Sequence, residues 1–127
     1  MTFMTELSQI TQLVSDYITK KYKGKIAIVA LYGSNVLGTQ SKFSDVDMFA
    51  ITDDDTQEFE KYFIYNDHPV DLWSMSWDKA EKIAKGENQQ SPWCVAASLF
   101  IHNNILYSRS KEDSEKFSNL RAIIEQT

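Results

Sequence analysis

LYGSNVLGTQSKFSDVDMFAI, residues 31–51, is the stretch that decides the fold. It opens at the end of the apolar run Ile26 to Leu31, and an aliphatic, β-branched run of that length ending at a glycine predicts a buried strand. The strand runs into Gly33-Ser34. Glycine lets the main chain turn sharply and approach a ligand, and the serine adds a hydroxyl beside free amides at the start of a short helical turn. That pairing is a seat for phosphate. Asp45 follows eleven positions beyond Ser34 and opens a second predicted strand, with Val46, Met48 and Ala50 on one face and Asp45, Asp47 and Phe49 on the other. At a rise of about 3.3 Å per residue the α-carbons of Asp45 and Asp47 stand roughly 6.6 Å apart, a separation from which two carboxylates converge on one hard divalent cation, Mg2+ being the natural guest.

Working outward, 127 residues at 43% hydrophobic content suit one domain with one core, so residues 1–127 are expected to form a single unit. No run approaches the 18 or so apolar residues of a membrane span, and Met1 to Leu13 lacks the basic and apolar segments of a signal peptide, so the expected location is cytoplasmic. The single Cys94 excludes an internal disulfide and a cysteine-based zinc cluster, and its apolar neighbours suggest a packed thiol. A net charge of −5 argues against a surface that tracks nucleic-acid phosphates; it suits solubility, and would also steer a small cationic partner toward the chain.

Thr5 to Tyr22 carries Leu7, Ile10, Leu13, Val14, Tyr17 and Ile18 at helical spacing, with lysines at its end and Gly24 as the stop. Thr52 to Thr56 is read as a solvated polar turn or a helix cap, because its consecutive acids point in different directions. Residues 59–65 and 70–75 alternate as a hairpin turning at Asn66-Asp67-His68-Pro69. Within it Asp71 stands among apolar neighbours, and a carboxylate so placed needs a partner. Ser76 caps a helix ended by Gly86, Ser91-Pro92 opens another reaching about His102, and Ile105 to Tyr107 is a short strand. Ser110-x-x-Asp113 starts a last helix whose stripe, Phe117, Leu120, Ile123 and Ile124, must lie against the sheet, a second copy or a further helical domain. His68 and His102 are read as non-ligands. Trp73, Trp77 and Trp93 are core or pocket lining, with base stacking open to any one of them.

A hydrophobic-Gly-Ser turn followed by Asp-x-Asp and an apolar strand resembles the signature of the nucleotidyltransferase superfamily related to DNA polymerase beta. The resemblance rests on Gly33, Ser34, Asp45 and Asp47; it departs from the pattern at Asn35, where many members carry arginine. It implies an α/β (α+β) nucleotidyltransferase fold, a small mixed sheet of about four to five strands flanked by helices. It also implies a nucleoside triphosphate donor on Gly33 and Ser34, Mg2+ at Asp45 and Asp47, and attack on the α-phosphorus with pyrophosphate leaving. The family's third acid falls on Asp71, either as a ligand to a second Mg2+ shared with Asp45 and Asp47 or as the group that takes the acceptor's proton.

The segments HPVDLWSMSW and NNILYSRS look like those of the small antibiotic-modifying enzymes similar to kanamycin nucleotidyltransferase. Those enzymes add a nucleoside monophosphate, here expected to be AMP, to a sugar hydroxyl of an aminoglycoside-like antibiotic. They carry a helical second domain and share the site across a dimer, so residues 1–127 are expected to hold the donor site without a complete acceptor pocket, and to pair as a homodimer or with a helical chain. Two alternatives come from other classes. One is a minimal nucleotidyltransferase antitoxin that binds or AMPylates a helical HEPN-type toxin, and the other is a nucleotide-binding domain without turnover.

Overall fold

The computed structural model describes residues 3–32, 45–54, 58–65, 67–86 and 99–125, with side chains from Leu7 onward in the first helix. Among them are three helices and five strands. They run α1 (Phe3–Lys21), β1 (Ile26–Tyr32), β2 (Val46–Thr52), β3 (Glu60–Tyr65), β4 (His68–Ser76), α2 (Trp77–Lys85), β5 (Asn104–Ser108) and α3 (Lys111–Glu125). The strands form one mixed sheet in the order β3-β4-β2-β1-β5. β2 and β4 run parallel, and the other neighbouring pairs are antiparallel. This is the small mixed sheet anticipated from the sequence.

The period-two alternation of β2 divides the core into two halves. Val46, Met48 and Ala50 join Val70, Leu72, Val29 and Leu31 beneath the apolar stripe of α1, where Leu7, Ile10, Val14 and Ile18 are buried. Phe49 and Ile51 look the other way, into a cluster with Met75, Trp77, Ala80, Phe100, Phe117 and Leu120 that seats α2 and α3. Ile123 and Ile124 pack against that cluster, so the terminal stripe lies on the sheet, one of the three placements expected of it.

The helix boundaries follow from their ends. Gly24, at φ +78°, supplies the left-handed residue that turns the chain from α1 into β1. Ser76 accepts a hydrogen bond from the Lys79 amide at 3.2 Å to open α2, and Gly86 closes it in the left-handed region. Ser110 and Asp113 cap α3 reciprocally: the Asp113 amide donates to Ser110 Oγ at 3.1 Å and that hydroxyl donates to the Asp113 carboxylate at 2.9 Å.

Three expectations are corrected. His68 is not part of the hairpin turn; it is a buried residue of β4 paired with Tyr65, and Asp67 before it stands at φ +67°. Asp53 is not merely solvated. Its carboxylate takes both terminal nitrogens of Arg109, at 2.8 and 2.9 Å, while the same guanidinium donates to Asp113 and to the Gly24 carbonyl. β5 lies beside β1 in the sheet and carries Arg109 to that junction, where it ties four separate parts of the chain together. The helix expected from Ser91 through about His102 lies largely outside the described residues; its last part, from Leu99, forms a turn held by Asn103 Nδ2 donating to the Leu99 carbonyl at 2.8 Å. Cys94 and Trp93 are likewise outside the described residues.

Candidate active site

Asp47 sits at the start of β2 and pairs across the sheet with Tyr32 of β1 on one side and Asp71 of β4 on the other. Asp71 in turn pairs with Tyr62 of β3. Directly opposed residues share a face, so Tyr32, Asp47, Asp71 and Tyr62 form one lateral row across four strands, on the face covered further along by α2 and α3. Asp45 precedes β2 on the same side and is exposed, whereas Asp47 and Asp71 are half-buried. The two strand aspartates are thus brought together by register, from positions well separated in the chain. Gly33 and Ser34 follow the last residue of β1 and lie outside the described residues.

Behind the row stands a second one, Ala30, Phe49, Trp73 and Glu60. Phe49 is fully buried and touches the rings of Tyr32, Trp73, Phe100 and Phe117, with centroids 5.7 to 6.2 Å apart. Trp73 reaches forward and donates its indole N–H to the Tyr32 hydroxyl at 2.7 Å. This bond fixes both rings beside the carboxylates and leaves the tyrosine proton to point elsewhere. Sequence reading had the alternation of these strands but not their lateral register, and so missed Tyr32 and Tyr62.

Charge in the row is unbalanced. The Asp47 carboxyl is pushed up to about 6, first by burial and then by the negative charges of Asp45 and Asp71. The Tyr32 phenol is also raised, chiefly by burial, with the charges of Asp47 and Asp71 adding to the effect against the Trp73 hydrogen bond. Because the folded chain holds the Asp47 proton more tightly than the unfolded chain, the contribution of this group to stability is greatest in acid and is lost as pH rises through about 6. Metal-free protein is therefore expected to lose stability between pH 4 and 6.5 by an increment that Asp47→Asn removes. Urea unfolding at several pH values in chelator checks this, and identical pH profiles for the two proteins would contradict it.

A cluster of hard oxygen donors whose own charges repel is suited to a hard cation. No group of three or more such residues among those described is already gathered as a complete cage. Mg2+ is commonly held by one or two carboxylates together with substrate phosphates and water, and Asp45 and Asp47 are two carboxylates that could hold it in that way. Beside Asp71 opens a cavity of about 580 Å³, bordered also by Glu58, Glu60, Trp73 and Lys79. Of the three aspartates, Asp71 is the one on its wall.

A mixed sheet flanked by helices, with acids at the start of one strand and on its parallel neighbour, has the architecture of a nucleotidyltransferase. The family model described as Polymerase beta, Nucleotidyltransferase matches residues 12–112, and the chain belongs to that family. A nucleotidyltransferase-like protein from Exiguobacterium sibiricum 255-15 has a similar crystal structure, with a TM-score of 0.57 at 18% identity over 84% of this chain. This chain spans 37% of that neighbour's length. No curated protein matches the sequence. Among the described residues, no helix is long and apolar enough to cross a membrane.

Proposed function

We propose that this chain transfers a nucleoside monophosphate from a nucleoside triphosphate to a hydroxyl of a small cationic acceptor of the aminoglycoside-like kind, with Mg2+ required and pyrophosphate released. The observation that carries the reading is the division of the acid row. Asp47, with Asp45 beside it, stands next to the end of β1 that leads into Gly33-Ser34, and Asp71 faces the cavity. Donor and acceptor then fall on opposite sides of the adjacent pair Asp47 and Asp71.

When bound, Mg2+ would supply charge neutralisation at the phosphates as the α-phosphorus is attacked. Asp45 and Asp47 would hold it, and Gly33 and Ser34 would cradle the phosphates with amide and hydroxyl donors. Asp71 would accept a hydrogen bond from the acceptor hydroxyl, orient its oxygen for attack and receive its proton as the new O–P bond forms and the bond to pyrophosphate breaks. Glu58, Glu60 and Asp71 outnumber Lys79 in the cavity and give it a net negative lining suited to an amino sugar, and the Trp73 ring offers a flat apolar surface for a sugar face.

The test is incubation with each α-labelled triphosphate, Mg2+ and an aminoglycoside. Label should move to the acceptor with one pyrophosphate released per transfer. Transfer from no triphosphate, or label appearing only as free monophosphate, would refute the proposal. Asp71→Asn should lower kcat by at least about a hundredfold while nucleotide affinity changes by no more than about threefold, since general-base contributions run to 10²–10⁴. Transfer at the parent rate in that variant would leave Asp71 a strand acid only.

A further inference from the structure

β3 is one of the two edges of the sheet, β5 being the other. Among the described residues it pairs with β4 on one side and with nothing on the other, and such an edge presents a row of main-chain donors and acceptors ready for another strand. Its charged side chains, Glu60 and Lys61, fall at its start, and the rest of the strand is apolar or aromatic. Tyr62 and Ile64 are 64% and 67% exposed on one face. On the other, Phe63 and Lys61 border an apolar groove of about 430 Å³ against α1, with Leu13 and Tyr17, both about half exposed, on its far wall.

The charge at this groove runs against the rest of the chain. Lys61 Nζ lies 5.2 Å from the centre of the Tyr17 ring and Lys21 Nζ lies 5.6 Å from it, with Lys21 also donating to the Tyr17 hydroxyl at 3.4 Å. Neither lysine is ion-paired among the described residues, although the chain carries a net charge of −5.

We propose that the free edge of β3 and the groove beside it take an extended segment of another protein, which adds as a sixth strand and carries an acidic side chain two residues from an apolar one. Period-two geometry sets that spacing. On the α1 face of an added strand, the residue opposite Lys61 meets Lys61 and Lys21, and the residue two positions away meets Phe63 and the groove; the residue between them rests on Tyr62. A second copy of this chain is disfavoured by the same charges. Antiparallel pairing of two β3 strands keeps the α1 faces together and would gather Lys21 and Lys61 of both copies on one surface.

The probe is an end-blocked, fluorescein-labelled hexapeptide, Thr-Val-Val-Val-Glu-Thr, and its control has lysine in place of the glutamate. Anisotropy should show the acidic peptide binding at least tenfold more tightly than the control, more weakly as salt rises, with new hydrogen-exchange protection confined to β3. Lys21→Glu with Lys61→Glu should reverse the preference between the two peptides and leave circular dichroism and triphosphate binding unchanged, because both lysines are on the face away from the aspartates. Equal binding of the two peptides, no binding of either, or complete displacement by millimolar inorganic phosphate would overturn the proposal, the last in favour of a small-anion site. Self-association abolished by the double reversal would overturn it in favour of a second copy.

Discussion

Asp47→Asn is expected to lower nucleotide transfer by at least about a thousandfold and at the same time to make the metal-free protein more stable above pH 6. The two effects have one cause. Asp47 is held half-buried between Asp45 and Asp71 with its carboxyl raised to about 6, so its ionised form is a cost that folding carries until a cation arrives. Asparagine removes the repelling charge and keeps the shape, which relieves the folded state. It also removes an anionic ligand, and several kcal/mol of charge neutralisation lost from the transition state corresponds to about three orders of magnitude in rate. Transfer assays paired with urea unfolding at pH 7.5 measure both. A variant that loses activity and stability together would point to an ordinary structural carboxylate.

Phe49→Ala carries the largest expected stability loss. Phe49 is fully buried at the meeting point of four aromatic rings from β1, β4, α3 and the turn at Phe100. Removing a ring so placed costs about 3–5 kcal/mol through lost transfer free energy and the cavity left behind. For a chain whose whole stability is about 5–15 kcal/mol, that places the variant near the edge of folding. Phe49→Leu fills much of the space and should cost less than the alanine variant. Because Phe49 also backs Tyr32 and Trp73, the alanine variant should weaken triphosphate binding even where it remains folded. Equilibrium urea unfolding gives the values, and a loss under about 1 kcal/mol for alanine would mean that the aromatic cluster does not anchor the sheet to α3.

What could be read from the residues was what period and punctuation carry. Val46-Asp47-Met48-Phe49-Ala50 can present Asp47 and Phe49 together only as a strand, and Ser76, Gly86, Ser110 and Asp113 mark helix ends by local chemistry that needs no tertiary partner. Asp71 could be singled out because an acid in an apolar strand demands a partner. That its direct neighbour is Asp47 depends on a parallel register between strands separated by a whole third strand, which no local pattern encodes. The same holds for Tyr32 and Tyr62, which read as ordinary strand aromatics until the lateral row is assembled. Arg109 escaped notice because its partners lie at Gly24, Asp53 and Asp113, each in a turn or cap that looked locally complete. The start of β4 was misread because His68-Pro69 resembles a turn in composition, while the buried position of His68 in β4 is set by the sheet.

The most direct test of the account is calorimetric titration of each nucleoside triphosphate into metal-stripped protein, with and without Mg2+, for the parent chain and for Asp45→Asn and Asp47→Asn. The parent should bind at least one triphosphate saturably only when Mg2+ is present, more tightly as pH rises through about 6 where Asp47 ionises, and each variant at least tenfold more weakly. Binding of equal strength in the parent and both variants, or binding indifferent to Mg2+, would contradict the assignment of these aspartates to a metal-assisted nucleotide site.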